Sequence, residues 1–302
     1  MTPSSCRCKF EQCAVTRRTM DGQRAGLEEI RSFHARLMVD ASRSRDPRLE
    51  RIFELVPREA FFPPGPWKIQ LAGSENYLET PSADPVYLYQ NTLVALDADK
   101  GINNGTPFFH AAWIGAVAPQ PGDVIAHIGA GTGYYSAILS MLVLDGGCVN
   151  AFEIEEQLAA AARHNLAPFD NVSVIAGDAV SLTLPPSDLI YVNAGVLAPP
   201  LQWLQALRLG GRMIFPWRPS NTVGVSALVT RLALGFELKL LMPAWFLPCI
   251  GASEGAAGPT PPDPNAARRS QSIRLTAEQV PDQTATAVYQ DIWFSSDELP
   301  KQ

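Results

Sequence analysis

The chain has 302 residues and a formal net charge of -6, with 46% hydrophobic and 18% charged residues. That balance excludes a disordered chain. It provides no basic stripe for nucleic acid and no apolar run near the ~18 residues that a membrane-spanning helix needs.

The chain has five cysteines, Cys6, Cys8, Cys13, Cys148 and Cys249, and an N-terminus with no central apolar segment. An odd count without a secretory signal predicts reduced thiols and a cytoplasmic protein. The spacing of Cys6, Cys8 and Cys13 lacks the CxxC pair or nearby His of a metal site, so no metal is expected.

Residues 1–24 are polar and aperiodic and read as a flexible leader. Residues 25–106 read as N-terminal helices and substrate loops. Leu27, Ile30, Phe33, Leu37 and Met38 recur at helical spacing, with His34 expected at the surface. A second helix is expected over Pro47–Leu55, with Asp46 as N-cap, ended by Val56-Pro57. Residues 63–106, rich in Pro, Gly, Asn and Tyr, read as loops and short strands that carry specificity.

Residues 107–252 read as the core. Apolar runs at Val124–Ile128, Val149–Ile154, Val172–Ile175, Leu189–Val192 and Arg212–Phe215 are separated by helical patterns near Tyr134–Leu144, Glu156–Asn165 and Leu201–Leu207. The alternation predicts an α/β fold with a doubly wound, Rossmann-like parallel sheet. Further strands are expected at Ala227–Leu232 and Leu238–Met242, extending one edge. Residues 253–302 read as a Gly/Pro linker and a tail with one strand-like run, Ala287–Phe294.

The most informative segment joins the first core strand to a helix through Gly129-Ala130-Gly131-Thr132-Gly133. Glycines let the chain turn sharply and bring bare backbone to a ligand. Glu153 closes the next strand, twenty residues after Gly133, where a carboxylate can accept hydrogen bonds from both hydroxyls of a ribose. Asp178 and Ala179 follow the third strand, placed to hold an adenine amino group. Together these features predict adenosine binding at the carboxyl edge of the sheet. G-x-G-x-G, lacking the later glycine that seats a pyrophosphate, favours S-adenosyl-L-methionine over a dinucleotide.

These residues resemble the protein-L-isoaspartate O-methyltransferase family, from about Phe33 to Ala252. The likeness is carried by Arg36–Asp40, Asp46-Pro47-Arg48 and Val56–Phe61, by Pro121-Gly122-Asp123 leading into His127–Tyr134, by Gly210-Gly211-Arg212 with Phe215-Pro216, and by Phe246-Leu247-Pro248. The resemblance implies a methyltransferase, and the helical and apolar patterns outside its core add an N-terminal helical extension and additional C-terminal strands. The resemblance also implies S-adenosyl-L-methionine as cofactor and a carboxylate as acceptor. The family's Thr-Ile-Ser-x-Pro segment is replaced here by Asn103-Asn104-Gly105-Thr106-Pro107, so Gly105 stands at the Ser position. The cofactor half is expected to be retained and the substrate loop rebuilt. The acceptor is then an isoaspartyl peptide, another carboxylate or a small molecule.

The candidate site residues follow. Gly129, Gly131, Thr132, Gly133, Glu153, Asp178 and Ala179 are expected to hold the cofactor; Asn104, Thr106, His110 and Asn193 are expected at the reacting end. Asn104 and Thr106 can orient a carboxylate that needs no base because it is already ionised at neutral pH. His110 is a cofactor contact, a substrate contact or a base. Asn193 either touches ligand or shapes its loop, while His127 reads as structural. Tyr87, Tyr89, Trp113, Trp203, Trp217 and Trp245 are expected in the core rather than around a pocket. Two other functions fit the same residues: a small-molecule O- or N-methyltransferase, and a non-catalytic adenosylmethionine-binding module.

Overall fold

The structure is a computed structural model and describes residues 26–71, 73–253 and 261–300. The leader with Cys6, Cys8 and Cys13, and the centre of the Gly/Pro linker, lie outside the described residues.

Helix α1 covers residues 26–42 and α2 covers Leu49–Leu55. The N-cap of α2 is Arg48, not Asp46. Asp46 acts two residues earlier: its Oδ1 accepts the Arg48 N–H at 2.9 Å and its carboxylate pairs with the Arg48 guanidinium at 2.6 Å. Val56 is extended (φ -96°, ψ 95°) and ends the helix ahead of Pro57, because the residue before proline avoids the helical region.

Short strands β1 (Lys68–Gln70), β2 (Leu78–Glu79), β3 (Leu93–Asp97) and β4 (Ile102–Asn103) follow. They form a small sheet in the order β2-β1-β3-β4. Helix α3 (Pro107–Val117) leads from it into the core.

The core alternates β5 (Val124–Ile128), α4 (Tyr134–Leu142), β6 (Cys148–Glu153), α5 (Glu156–Asn165), β7 (Val172–Ala176), β8 (Ser187–Val192) and α6 (Leu201–Ala206). The chain then continues through β9 (Leu207–Ser220), β10 (Val223–Leu232) and β11 (Gly235–Pro243). Strands β9-β8-β5-β6-β7 pair in parallel. The chain runs outward from β5 to β7, then restarts at β8 on the other side of β5. That reversal opens a crevice at the carboxyl ends of β5 and β8.

Alternation along each strand divides the core in two. Ile125, Leu189, Tyr191 and Ile214 pack with α1 to α5. Their neighbours Ala126, Ile190, Met213 and Phe215 pack with α6 and the C-terminal strands.

The tail departs from the sequence expectation. Ala287–Phe294 is not one strand but parts of two, β13 (Ala285–Val288) and β14 (Ile292–Ser295). With β12 (Ser272–Leu275) they complete a ten-stranded sheet, β13-β14-β12-β11-β10-β9-β8-β5-β6-β7. Phe294 stacks on Trp217 of β9, with centroids 4.2 Å apart and planes 2° from parallel. An apolar run turns back on itself here because both halves find a core to cover.

His34 corrects a second expectation. It is buried against Tyr89, edge to face at 5.3 Å, rather than at the surface. Trp113, Trp203 and Trp217 are buried as expected, but Trp245 is 55% exposed. No helix among the described residues is long and apolar enough to cross a membrane.

Candidate functional site

A cavity of about 780 Å³ opens over the reversal point, within the range of small-molecule sites. It is lined by the turns after β5, β6, β7 and β8, by residues 100–106 ahead of α3, and by the segment after β11.

The glycine turn forms its floor. The N–H groups of Gly129 and Ala130 both donate to the Phe152 carbonyl, at 2.9 and 3.0 Å, which fixes the turn to β6. Glu153 fixes it a second time: Oε2 accepts the Gly131 N–H at 2.7 Å and Oε1 the Glu155 N–H at 3.0 Å. Burial raises the Glu153 pKa, outweighing these N–H bonds. Asp178 lines the same wall, its Oδ1 accepting the Val180 N–H at 2.8 Å and its Oδ2 the Ser181 hydroxyl at 2.7 Å. Ala179 lies beside it.

Two residues expected at the cofactor lie outside the cavity lining. Thr132 is buried, and its carbonyl accepts from Asn165 at 3.0 Å. Gly133 has φ 97°, and a Cβ there would lie 2.6 Å from Leu166 Cδ1. The third glycine therefore serves the approach of Leu166 to the turn. Gly129, Ala130 and Gly131 line the cavity.

The cavity is also lined by Asn104, Thr106, His110 and Asn193. Thr106 is the N-cap of α3 but makes no side-chain capping bond, so its hydroxyl is not committed to the helix. Asn104 Nδ2 is buried without a partner among the described residues. Asn193 Nδ2 meets His127 Nε2 at 2.8 Å, and His127 Nδ1 meets the Ser136 hydroxyl, also at 2.8 Å. With the amide donating to Nε2, the His127 proton sits on Nδ1 and Asn193 Oδ1 is left unpartnered. A buried donor and a buried acceptor, both unmet, face one cavity.

His110 stacks on Tyr135 with centroids 3.8 Å apart and hydrogen-bonds the Tyr191 hydroxyl through Nδ1 at 3.0 Å. Burial, reinforced by His127 and Arg58, depresses its pKa well below the usual value. A base for a hydroxyl acceptor needs a pKa near the operating pH, so this imidazole suits a neutral hydrogen-bonding role.

Burial also lowers the pKa of His34 and of His127 to about 3. Each of the three histidines binds fewer protons folded than unfolded between its depressed pKa and about 6.5. Their neutral burial favours the fold above about pH 6.5, and this advantage is lost as the pH falls toward 3. The melting temperature should therefore drop steeply between pH 6.5 and 4. His34→Phe should flatten the slope. Thermal unfolding against pH checks this, and an equal slope in the variant would exclude His34 as a contributor.

Among the lining residues, sequence reasoning passed over Arg218 on β9 and placed Trp245, after β11, in the core rather than around the pocket. The only available signal for the first was a lone charge within the apolar Phe215-Pro216-Trp217-Arg218 run.

Comparison with known proteins places this geometry among relatives. The protein-L-isoaspartate(D-aspartate) O-methyltransferase family model matches residues 74–254. A protein-L-isoaspartate O-methyltransferase of Ignicoccus hospitalis is 30% identical over 167 residues, covering 54% of this chain and 78% of that protein. One of Pelotomaculum thermopropionicum is 32% identical over 171 residues, covering 55% and 72%. A solved protein-L-isoaspartate O-methyltransferase superposes with a TM-score of 0.62 at 20% identity, covering 80% of this chain and 73% of that one. A Plasmodium falciparum structure of the same description, in complex with S-adenosyl-L-homocysteine, gives 0.56 at 18% identity, covering 72% and 97%.

Proposed function

From membership of the protein-L-isoaspartate(D-aspartate) O-methyltransferase family, to which this chain belongs, we propose that it uses S-adenosyl-L-methionine to methylate a carboxylate, with isoaspartyl peptide as the first acceptor to test. The observation that carries the reading is the pairing of two half-sites in one cavity. Glu153 and Asp178 stand at the ends of neighbouring strands β6 and β7, and the unmet polar atoms of Asn104 and Asn193 line the same cavity. Family membership favours this reading over a small-molecule methyltransferase or a non-catalytic binding module.

The residues fit the cofactor. Glu153 can take the two ribose hydroxyls, Asp178 the adenine amino group, and Gly129 to Gly131 the approach of the chain joining them. Bound there, S-adenosyl-L-methionine supplies an electrophilic methyl group on a sulfonium. The protein's own task is alignment and exclusion of water. Asn104 Nδ2 and the Thr106 hydroxyl can each donate to an acceptor carboxylate oxygen at the N-terminus of α3, whose dipole favours an anion. Asn193 Oδ1 can accept from an N–H of cofactor or acceptor. No base is required, which agrees with a neutral His110.

Calorimetric titration with S-adenosyl-L-homocysteine, followed by methyl transfer to an isoaspartyl peptide, tests the reading. Micromolar binding with turnover is expected. Binding without turnover would remove isoaspartate as acceptor. No binding by folded protein would overturn the cofactor assignment.

A further inference from the structure

Arg218 lines the cavity and has no anionic partner among the described residues. Its Nη1 donates to the Phe246 carbonyl, its guanidinium carbon lies 5.4 Å from the Trp245 ring centroid, and its Nε is buried and unbonded. Among the described residues it makes no ion pair. The nearest other cation in the lining, Lys100, is already paired with Glu155.

The position is built rather than incidental. The Arg218 N–H donates to the Val196 carbonyl, and the Val196 N–H to the Pro216 carbonyl, both at 2.8 Å. The backbone is thereby pinned beyond the end of β8. The side chain then passes Gly195, where a Cβ would lie 2.8 Å from Arg218 Cδ and 3.2 Å from the Phe246 carbonyl. A glycine opens the passage, a carbonyl holds one nitrogen, and an indole supports one face. The remaining N–H groups form a fixed fork, the geometry that matches a carboxylate.

The sheet order separates this fork from the cofactor half. Glu153 and Asp178 follow β6 and β7, whereas Arg218 is on β9, with β8 between it and the glycine turn after β5. At about 4.8 Å per strand, Arg218 and the glycine turn are rooted about 10 Å apart, and Glu153 and Asp178 lie farther along the sheet. A carboxylate held by a guanidinium fork also gives its charge to N–H bonds and becomes a poorer nucleophile. Arg218 therefore suits an anion that is bound but not methylated.

We infer that Arg218 is a specificity residue that binds a second carboxylate of the acceptor, so that the preferred substrate carries an additional acidic group beside the carboxylate that is methylated. The inference rests on the proposed carboxyl methyltransferase reading and adds the substrate's charge pattern to it. A single guanidinium with no second free cation beside it matches the single charge of a carboxylate.

The test uses full-length protein saturated with S-adenosyl-L-homocysteine. It is titrated calorimetrically with capped isoaspartyl peptides in which both residues flanking the isoaspartate are Glu, or both Gln. The Glu peptide is expected to bind about tenfold more tightly, the scale of one charged hydrogen-bonded contact. Arg218→Gln should erase the difference and Arg218→Lys restore part of it, because Lys keeps the charge but not the fork. S-adenosyl-L-homocysteine binding in each variant reports that it has folded.

Equal affinities in the unaltered protein, a preference that survives Arg218→Gln, or binding of neither peptide would each overturn the inference. Methyl transfer is then measured with S-adenosyl-L-methionine. A Glu preference that depends on Arg218 but leads to no methylation would uphold the anion site and overturn the isoaspartyl reading. Equal methylation and binding of both peptides would do the reverse.

Discussion

Glu153→Ala is expected to weaken S-adenosyl-L-homocysteine binding at least a hundredfold. The carboxylate has two tasks. Its Oε2 accepts the Gly131 N–H at 2.7 Å and so sets the turn, and in the proposed complex it accepts two ribose hydroxyls. Hydrogen bonds to a charged group are worth about 1.5–3 kcal/mol each; losing two, with the turn released, exceeds the roughly 2.8 kcal/mol that a hundredfold requires.

The same residue gives a pH signature. Burial raises its pKa, so the ionised form that accepts both hydroxyls is depleted sooner on acidification than an exposed glutamate would be. Affinity should fall as the pH drops toward the raised value. Because the ligand favours the ionised form, binding there should release a proton. The sign for stability is the converse: a carboxylate with a raised pKa binds more protons folded than unfolded in that window, so its burial costs stability as the pH rises through it. Titration in buffers of different ionisation enthalpy measures the released proton. Affinity within threefold of the unaltered protein in Glu153→Ala would refute the assignment.

Gly105→Ser is expected to lower methyl transfer by more than tenfold and to destabilise the protein. From the sequence, serine at this position is the residue to restore. The structure argues against a simple restoration. Gly105 has φ 68°, and a Cβ there would lie 2.2 Å from His110 Nε2 and 2.8 Å from His110 Cδ2. The left-handed conformation alone costs a non-glycine residue roughly 1–2 kcal/mol. His110 cannot easily withdraw, since it is buried, stacked on Tyr135 and bonded to Tyr191.

The substitution must then shift either the turn carrying Asn104 and Thr106 or the imidazole itself. Thermal unfolding and steady-state kinetics check both effects. A double variant, Gly105→Ser with His110→Ala, should be less impaired than the two single effects summed, because the removed ring leaves room for the new side chain. A gain of isoaspartyl activity in the single variant would show that the loop tolerates serine.

The local elements of this protein were legible in its sequence. Alternation of period two along β5 and β8 separates Ile125 from Ala126 and Leu189 from Ile190, and the two sets enter different cores. Helix α5 covers the predicted Glu156–Asn165. The glycine turn, Glu153 and Asp178 could be placed because each follows its own strand, and a parallel sheet aligns the strand ends. These are consequences of backbone geometry within a few residues.

What the sequence left open depends on pairing between distant segments. The tail at 272–295 joins the main sheet because Phe294 finds Trp217, a contact with no local signature. His34 is buried because Tyr89 packs over it, and Asn193 is oriented by His127 across 66 residues of chain. Gly105 and Arg218 make the same point at the site. Removing a side chain at Gly105 reads as a loss until His110 is seen in that space, and an arginine in an apolar strand gains meaning only when Gly195 and the Phe246 carbonyl surround it. Sequence determined which backbone elements form and where the sheet presents the carboxyl ends of its strands, because hydrophobic period and turn chemistry act locally. Tertiary structure alone decided which side chains meet in the cavity, because that depends on steric exclusion and hydrogen-bond satisfaction among residues far apart in the chain.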